Sequence, residues 1–377
     1  MDSYDLIVIG SGPAGGAAAF VAALAGLRVA LVDRHVFPRD KLCGGGFTGR
    51  SMALYREIFG TDPVETDRRD RYEFHAHGQA LGVITDVPPM YLTTRLALDN
   101  AIHEHAVAAG AEAITGLVKD IEGTVVTLEG GRALSGRLLI GADGVKSRVA
   151  RALFGESFDA RHIGFGFEIE APPQTGDPAI RIDFGAAEWG YGWSFPKSGS
   201  TTIGVGGVLS RNPDMKASMA AYMAELGVTD PPKIKGHHLP FGAFRKVPGQ
   251  GDVLLCGDAA GLVDPITGEG IAYAMQSGAL AGHAAVEALA EGAPGTALPC
   301  YTESLKPIHT ALRQARAIRL LIFARPMRRA FLKAFSGQGG LKRDYLRMMA
   351  GELEYPDLTR AVLRRLPAHL ARAARLR

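Results

Sequence analysis

Cysteine is scarce in this chain, and its scarcity excludes two kinds of site. The 377 residues include three cysteines, Cys43, Cys256 and Cys300, which are too few for a disulfide scaffold and lack metal-site spacing. The histidine pairs His75-x-His77 and His237-His238 have no cysteine or acidic partner at metal-ligand spacing. We therefore predict no metal site, interpret both pairs as solvated or core histidines, and expect a reducing, cytoplasmic compartment.

Long hydrophobic runs are also lacking, with one exception near the start. No charged residue occurs from Leu6 to Leu27, a length that suits a membrane span or a signal peptide. The preceding charges are the acidic Asp2 and Asp5, and glycines interrupt the stretch from Gly10 onward. We therefore predict a strand, a turn and a helix here, in a protein that is soluble or peripheral to a membrane.

The length and composition indicate an enzyme-sized α/β protein. Hydrophobic residues make up 47% of the chain, and there are 48 glycines, which fits a well-buried fold with many close backbone contacts. Because 377 residues exceed one ordinary hydrophobic core, we expect two intertwined domains. We find no internal repeat or low-complexity tract, and we expect no nucleic-acid partner.

Two glycine-rich turns, far apart in sequence, predict one nucleotide site. The first is Gly10-x-Gly12-x-x-Gly15, between a strand and a helix over about 13–25, and Asp33 ends the next strand where an acid can bind ribose hydroxyls. The second, residues 256–270, is another strand-to-helix passage with its own backbone N–H groups. Two such helix ends suit a long cofactor with two phosphates, whereas the first turn alone suits any dinucleotide.

Three further motifs extend this pattern into both halves of the chain. Gly141-Ala142-Asp143-Gly144 closes a strand and opens a helix, and residues 38–46 form a loop that contains Cys43 and three glycines. The stretch 191–196 reads Tyr-x-Trp-x-Phe-Pro and is followed by Gly204-x-Gly206. Together with the two turns, these motifs resemble FAD-dependent oxidoreductases of the para-hydroxybenzoate hydroxylase type and, within them, the geranylgeranyl reductase family.

The resemblance implies a Rossmann-like FAD-binding domain with an inserted antiparallel β-sheet substrate domain and C-terminal helices. We place the FAD-binding domain at 1–70, 91–160 and 250–298, the substrate domain at 71–90 and 161–249, and the helical region at 299–377. The implied FAD-binding residues are Gly10, Gly12, Pro13, Ala14, Gly15, Asp33, Arg34, Cys43, Gly44, Gly45, Arg95, Val118, Asp143, Gly144, Gly257, Asp258, Gly268, Gly270 and Ile271.

The resemblance also implies a reaction, the saturation of C=C bonds of a prenyl lipid by hydride transfer from reduced flavin. The implied substrate-binding residues are Tyr191, Trp193, Phe195, Pro196, Gly204 and Gly206, and the candidate catalytic residues are Cys43, Tyr191, Trp193 and Glu269. The proton donor stays open between Glu269, Tyr191 and water. Three of the implied site residues have an alternative interpretation. Glu269 can be a charge at a helix N-terminus, Arg95 can form a surface ion pair, and Cys43 can be a small buried hydrophobic residue.

The electron donor and the location follow from what the chain lacks and from its charge. There is no early redox cysteine pair and no second complete nucleotide-binding unit, so we expect NAD(P)H or a reduced ferredoxin or flavodoxin to bind transiently. Residues 301–377 carry 17 Lys and Arg against 5 Asp and Glu. This basic region predicts peripheral contact with the inner face of the cell membrane, or else a solvated helix face.

A flavin monooxygenase of an aromatic or polyketide-like substrate is the alternative function, because it shares the fold and the Asp143-Gly144 signature. Flavin halogenases carry Trp-x-Trp-x-Ile-Pro where this chain has Tyr191-x-Trp193-x-Phe195-Pro196, which argues against halogenation. One further expectation concerns packing: a helix over 93–110 should direct Leu96, Ile102 and Val107 toward the core.

Overall fold

The computed structural model describes residues 1–63, 66–241, 243–337 and 339–360. The last part of the basic region, residues 361–377, lies outside the described residues. The strands within the described ranges are β1 Asp2–Ile9, β2 Val29–Asp33, β3 Gly46–Phe47, β4 Asp67–Arg69, β5 Tyr72–Ala76, β6 Gln79–Ile84, β7 Met90–Leu92, β8 Glu112–Thr115, β9 Val118–Glu122, β10 Val125–Leu128, β11 Ala133–Gly141, β12 Gly164–Ala171, β13 Ile180–Phe184, β14 Gly190–Pro196, β15 Thr201–Val208, β16 Lys235–Leu239, β17 Gly249–Gln250 and β18 Val253–Leu255.

The strands form three sheets, and together with the helices they give the predicted α/β fold, which is confirmed. They are α1 Pro13–Leu24, α2 Gly49–Phe59, α3 Arg95–Ala108, α4 Arg148–Phe154, α5 Met215–Glu225, α6 Ile271–Ala290, α7 Ala297–Ser304, α8 Lys306–Phe323, α9 Arg325–Gly337 and α10 Gly339–Met349. The division of the chain into three regions at the stated boundaries stays a prediction.

The first sheet places every predicted nucleotide motif at one edge. Its order is β17-β18-β11-β1-β2-β8, and the pairs from β18 to β8 are parallel. The inner strands are buried on both faces, as the continuous apolar run of β1 predicts. Because the carboxyl ends of parallel strands lie at the same edge, the turns after β1, β2, β11 and β18 meet there.

Glycines bring α1 and α6 into close contact beneath that edge. A Cβ placed on Gly278 would lie 2.0 Å from the carbonyl oxygen of Ala14, and one on Gly282 would lie 2.8 Å from that of Ala18. At the start of this passage, Gly257 has φ +57° and lies against the Ala14 side chain. The absence of side chains at these positions therefore lets the two glycine-rich turns converge.

The second sheet forms the wall that faces this edge. Its order is β16-β12-β15-β14-β13-β5-β6. The sheet is mixed and not purely antiparallel as expected, because β5 enters from the earlier part of the chain and pairs in parallel with β13. Helix α5 covers one face, while side chains from α8 to α10 form a core with the strands from β14 to β6 on the other.

The prediction of which α3 residues face the core is confirmed for Ile102 and wrong for Leu96 and Val107. Leu96 and Val107 are 46% and 42% exposed, whereas Leu98, Ile102 and Ala106 are buried. These three residues are four apart and form one stripe against α1, where Ile102 occupies the space left by Gly16. The sequence pattern also missed α2 and the small sheet β3-β7-β4.

The contact between α1 and α6 yields a stability prediction. Gly278→Ala adds a methyl group where only 2.0 Å separates its Cβ from a backbone oxygen, and overpacking of this kind costs about 1–3 kcal/mol or more. Alanine gains only about 1 kcal/mol over glycine in helix propensity, so we expect a lower Tm and weaker cofactor retention. Gly295→Ala is the control, since its Cβ would have its nearest contact at 4.0 Å. Equal Tm values for the two variants would contradict the close packing of α6 on α1 at Gly278.

Candidate functional site

One cavity of about 550 Å³ lies between the strand-end turns of the first sheet and the wall formed by the second. Its volume falls in the range of small-molecule and cofactor sites. The sequence-predicted residues that line it are Gly10, Gly12, Pro13, Ala14, Asp33, Arg34, Cys43, Gly44, Gly45, Arg95, Val118, Asp143, Gly144, Tyr191, Trp193, Phe195, Gly206, Asp258, Gly268, Glu269, Gly270 and Ile271.

Four predicted residues do not line the cavity, and three of them contribute space for other groups. Gly15 packs on the Gly10 carbonyl oxygen, 1.7 Å from where its Cβ would lie, and Gly204 leaves room for the ring of Trp193. Gly257 packs on Ala14, and its N–H donates to the Ser277 hydroxyl at 2.9 Å, so this N–H is already used. Pro196 ends β14 beyond the lining residues.

The first turn presents unpaired backbone donors to the cavity. Gly10 has φ +98° and lies under the Ala142 carbonyl, where a Cβ would come within 2.4 Å of its oxygen. Gly12 precedes α1 without any side-chain cap, so the first N–H groups of the helix stay available to an anion.

Asp33 lies at the end of β2, beside this turn. Its two carboxylate oxygens accept the Ser11 N–H at 2.8 Å and the His35 N–H at 2.9 Å. These bonds fix the carboxylate at the cavity edge, where each oxygen still has a free lone pair for a hydroxyl group.

The second turn contributes acidic groups that are held by neighbours. Asp258 pairs with Lys41 at 3.5 Å. Glu269 accepts the Ala272 N–H of α6 at 3.1 Å and the Ser51 hydroxyl at 3.3 Å, while burial raises the pKa of its carboxyl. Glu269 therefore caps α6, as the alternative interpretation of this residue expected, and its catalytic role stays a prediction.

Arg95 forms a buried ion-pair cluster and not the surface pair that the sequence suggested. Its guanidinium donates to both oxygens of Asp99, at 2.5 and 2.7 Å, and Arg39 approaches the same carboxylate at 2.6 Å. Asp99 is fully buried and Arg95 is 7% exposed. Two cations share one carboxylate at the cavity wall, which leaves the cluster with an excess positive charge beside the first turn.

Glycines and aromatic rings alternate across the wall that the second sheet presents to the cavity. The register aligns Glu168, Gly204 and Trp193 on adjacent strands β12, β15 and β14, and the indole of Trp193 lies over Gly204. The Trp193 ring centroid lies 6.4 Å from that of Phe195. This arrangement gives the cavity a broad apolar surface.

Tyr191 contributes its ring to the same wall, with a centroid 5.9 Å from that of Trp193. Its hydroxyl donates to the carbonyl oxygen of Thr267. Burial raises the pKa of this phenol far above its usual value. Tyr191 is therefore a poor acid, and its O–H is already hydrogen-bonded to the protein. Its catalytic role stays a prediction.

The loop from Cys43 to Gly46 crosses the wall. A Cβ on Gly44 would lie 3.0 Å from the Trp193 indole nitrogen, and one on Gly46 would lie 3.2 Å from the Phe195 ring. Burial raises the pKa of the Cys43 thiol, so the side chain is a thiol and not a reactive thiolate. Its redox role stays a prediction.

Two polar residues at this wall were missed by the sequence analysis. Glu168 accepts the Cys43 N–H at 2.9 Å through Oε1, but its Oε2 is buried without a partner among the described residues. The indole nitrogen of Trp193 and Nε2 of His237 are also buried and unpaired there. His237 lines the cavity, which corrects its interpretation as a solvated or core residue, and burial lowers its pKa to about 4.

Among the described residues, one cluster of side chains bears on the prediction that the chain has no metal site. His75, Asp183 and Glu225 bring their ligand atoms within 4.8 Å of one another. However, the Arg181 guanidinium pairs with Asp183 at 2.8 Å and with Glu225 at 2.5 Å. The arginine already neutralises these carboxylates, so the cluster is better explained as an ion-pair network.

These features fit FAD. The uncapped N-terminus of α1 suits a pyrophosphate, and the Asp33 carboxylate suits a ribose. Unpaired buried polar atoms lie on the wall formed by the second sheet, where they suit a ring system with polar edges. A family model described as an FAD binding domain matches residues 3–167. Menaquinone reductase from Mycobacterium tuberculosis is 34% identical over 74% of this chain and 76% of its own length.

Geranylgeranyl diphosphate reductase from Rhodobacter capsulatus is 32% identical over 77% of both chains. The chain belongs to the geranylgeranyl reductase family of FAD-dependent oxidoreductases. The crystal structure of a geranylgeranyl bacteriochlorophyll reductase-like protein from Thermoplasma acidophilum superimposes with a TM-score of 0.78, at 19% identity, over 96% of this chain and 99% of the other. The recognition of the family from sequence motifs, the FAD cofactor and the oxidoreductase class are thus confirmed.

Proposed function

We propose that this family member reduces C=C bonds in the prenyl chain of a lipid. The observation that carries the proposal is the wall of the cavity, where glycines of β12 and β15 and aromatic rings of β14 form an apolar surface beside the nucleotide turns. Side chains of Leu239, Phe241, Met90 and Met349 extend this surface. Such a surface suits a long hydrocarbon, and the names of the relatives above include a geranylgeranyl and a menaquinone substrate.

Reduced FAD, when bound, would supply the hydride for one carbon of the double bond. The protein's own contribution is to hold the double bond in a dry space, because positioning alone contributes much of the rate in such reactions. The loop at residues 43–46 packs against the Trp193 and Phe195 rings, and together they border that space. NAD(P)H, ferredoxin or flavodoxin as the transient source of electrons belongs to this proposal.

The mass of the lipid product tests the proposed reaction. Chemically reduced protein incubated without oxygen with menaquinone or geranylgeranyl diphosphate should add two hydrogens for each double bond reduced. A monooxygenase would instead require air and add one oxygen atom. Unchanged lipids without oxygen, together with an oxygenated aromatic product in air, would contradict the proposal and favour the alternative function.

We further propose that the basic C-terminal region binds an anionic membrane surface, from which a lipid substrate would enter. From Ser304 to Arg343 the sequence contains ten Lys and Arg and no Asp or Glu. On α8 and α9, the exposed side chains include basic residues and the apolar Leu320 and Met327, which are 50% and 36% exposed. No helix in the described part of the chain is long and apolar enough to cross a membrane.

Vesicle binding tests this surface. Each basic residue near an anionic leaflet contributes about 1 kcal/mol, so changing Arg313, Arg325, Arg329 and Lys333 to Gln should reduce binding to phosphatidylserine vesicles by about 100-fold or more at low salt. The matched control changes four exposed basic residues elsewhere, Arg68, Lys119, Arg151 and Lys216, and should bind like the unmodified protein. Equal loss in both variants, measured by co-sedimentation, would mean that net charge and not this surface is responsible.

A further inference from the structure

One acidic group at the cavity differs from the others in its hydrogen bonding. Six acidic side chains line the cavity, namely Asp33, Asp40, Asp143, Glu168, Asp258 and Glu269. Each of them accepts a hydrogen bond or an ion pair from the protein. Among these six, within the described part of the chain, a buried oxygen without any partner occurs only on Glu168.

The fold aims this oxygen at the cavity. Side chains alternate along β12, so Phe165 and Phe167 pack toward α5 while Gly166 and Glu168 face the cavity. Gly164 packs on the Phe241 ring. Gly166 adds no side chain beside the carboxyl group, and the cavity lies along this part of the strand. The Cys43 N–H holds Oε1 at 2.9 Å, which leaves Oε2 as the atom directed into that space.

Burial favours a neutral carboxylic acid at Glu168. Glu168 is only 4% exposed, and burial raises the pKa of its carboxyl to about 7. Glu170 on the same strand raises it further, while Lys197 and Lys235 on neighbouring segments and the Cys43 N–H lower it. Each of these lysines also pairs with another carboxylate, Lys197 with Glu170 at 3.3 Å and Lys235 with Asp40 at 2.6 Å. His237 lies on β16, which pairs with β12. It is uncharged at neutral pH because burial lowers its pKa to about 4.

We propose that Glu168 is the proton donor of the double-bond reduction, an inference that rests on the proposed function. Bound FAD in its reduced form would supply a hydride to one carbon of the double bond, and the Glu168 carboxyl would supply the proton to the other. Two C–H bonds form and the π bond breaks. Glu168 is left as a carboxylate, which regains a proton from water before the next turnover. The other two candidates are already engaged, Tyr191 with Thr267 and Glu269 with the N-terminus of α6.

The test compares Glu168→Gln with Glu269→Gln and Glu170→Gln in single-turnover reduction of a prenyl lipid by the reduced holoenzyme without oxygen. Loss of a general acid costs about 100- to 10,000-fold in rate, so Glu168→Gln should fall by at least 100-fold with its FAD content unchanged. Glu170→Gln, whose side chain does not line the cavity, should stay within about tenfold of the unmodified protein. Glu269→Gln tests the competing proton donor. A large loss in Glu269→Gln together with a normal rate in Glu168→Gln would overturn the inference.

The pH dependence supplies a second readout. A carboxyl with a pKa of about 7 is protonated below that pH and ionised above it, so the single-turnover rate should be constant at low pH and fall above about 7. Glu168→Gln should lack this limb. Because the charge of Glu170 raises the pKa of Glu168, Glu170→Gln should move the limb to lower pH. An unchanged limb in Glu168→Gln would overturn the assignment.

A spectroscopic measurement separates this inference from the reaction itself. The infrared carbonyl band of a protonated carboxyl should titrate near neutral pH in the unmodified protein and be absent from Glu168→Gln. If prenyl lipids are not reduced by the unmodified protein, the proposed function is wrong, whatever the infrared result. If they are reduced and the infrared titration of Glu168→Gln equals that of the unmodified protein, the proton-donor role is wrong and the function stands.

Discussion

The close contact between α1 and α6 is the constraint on which the site depends. Gly278 and Gly282 let α6 rest on the carbonyl oxygens of Ala14 and Ala18, closer than any side chain would allow. This contact brings a segment from residue 257 onward against a helix that begins at residue 13. The two glycine-rich turns therefore reach one cavity, although most of the second sheet lies between them in sequence.

Glycine serves a different purpose in the second sheet. On β12 and β15, glycines face the cavity where a half-buried strand would ordinarily carry larger apolar side chains. The space this leaves is partly filled by the flat ring of Trp193 and crossed by the loop at residues 43–46. The remaining space is bordered by apolar surface and by a few buried polar atoms without protein partners. A cavity of this kind suits a flat cofactor above a hydrocarbon, which links the sheet's composition to the proposed chemistry.

The nucleotide half of the site could be predicted from sequence because its signals are local. A strand, a glycine turn and a helix, followed by Asp33, define a phosphate and ribose site without knowledge of the rest of the fold. Glu168 could not be found in this way, since a glutamate in an alternating strand has the pattern of a solvent-facing residue. Its burial depends on the register of β12 with β15 and β16 and on the crossing loop that contains Cys43. The same holds for His237, which reaches the cavity only because β16 pairs with β12, and for Arg95, whose burial depends on Arg39 and Asp99.

The central claim is that the two glycine turns and the glycine-aromatic wall bind one FAD between them. A crystal structure of the FAD-loaded protein tests this claim most directly. The account predicts the pyrophosphate at the N-terminus of α1, the ribose hydroxyls at Asp33 and the flavin ring against residues 43–46, facing Trp193 and Glu168. A flavin ring that lies outside the cavity, away from the second sheet, would contradict it.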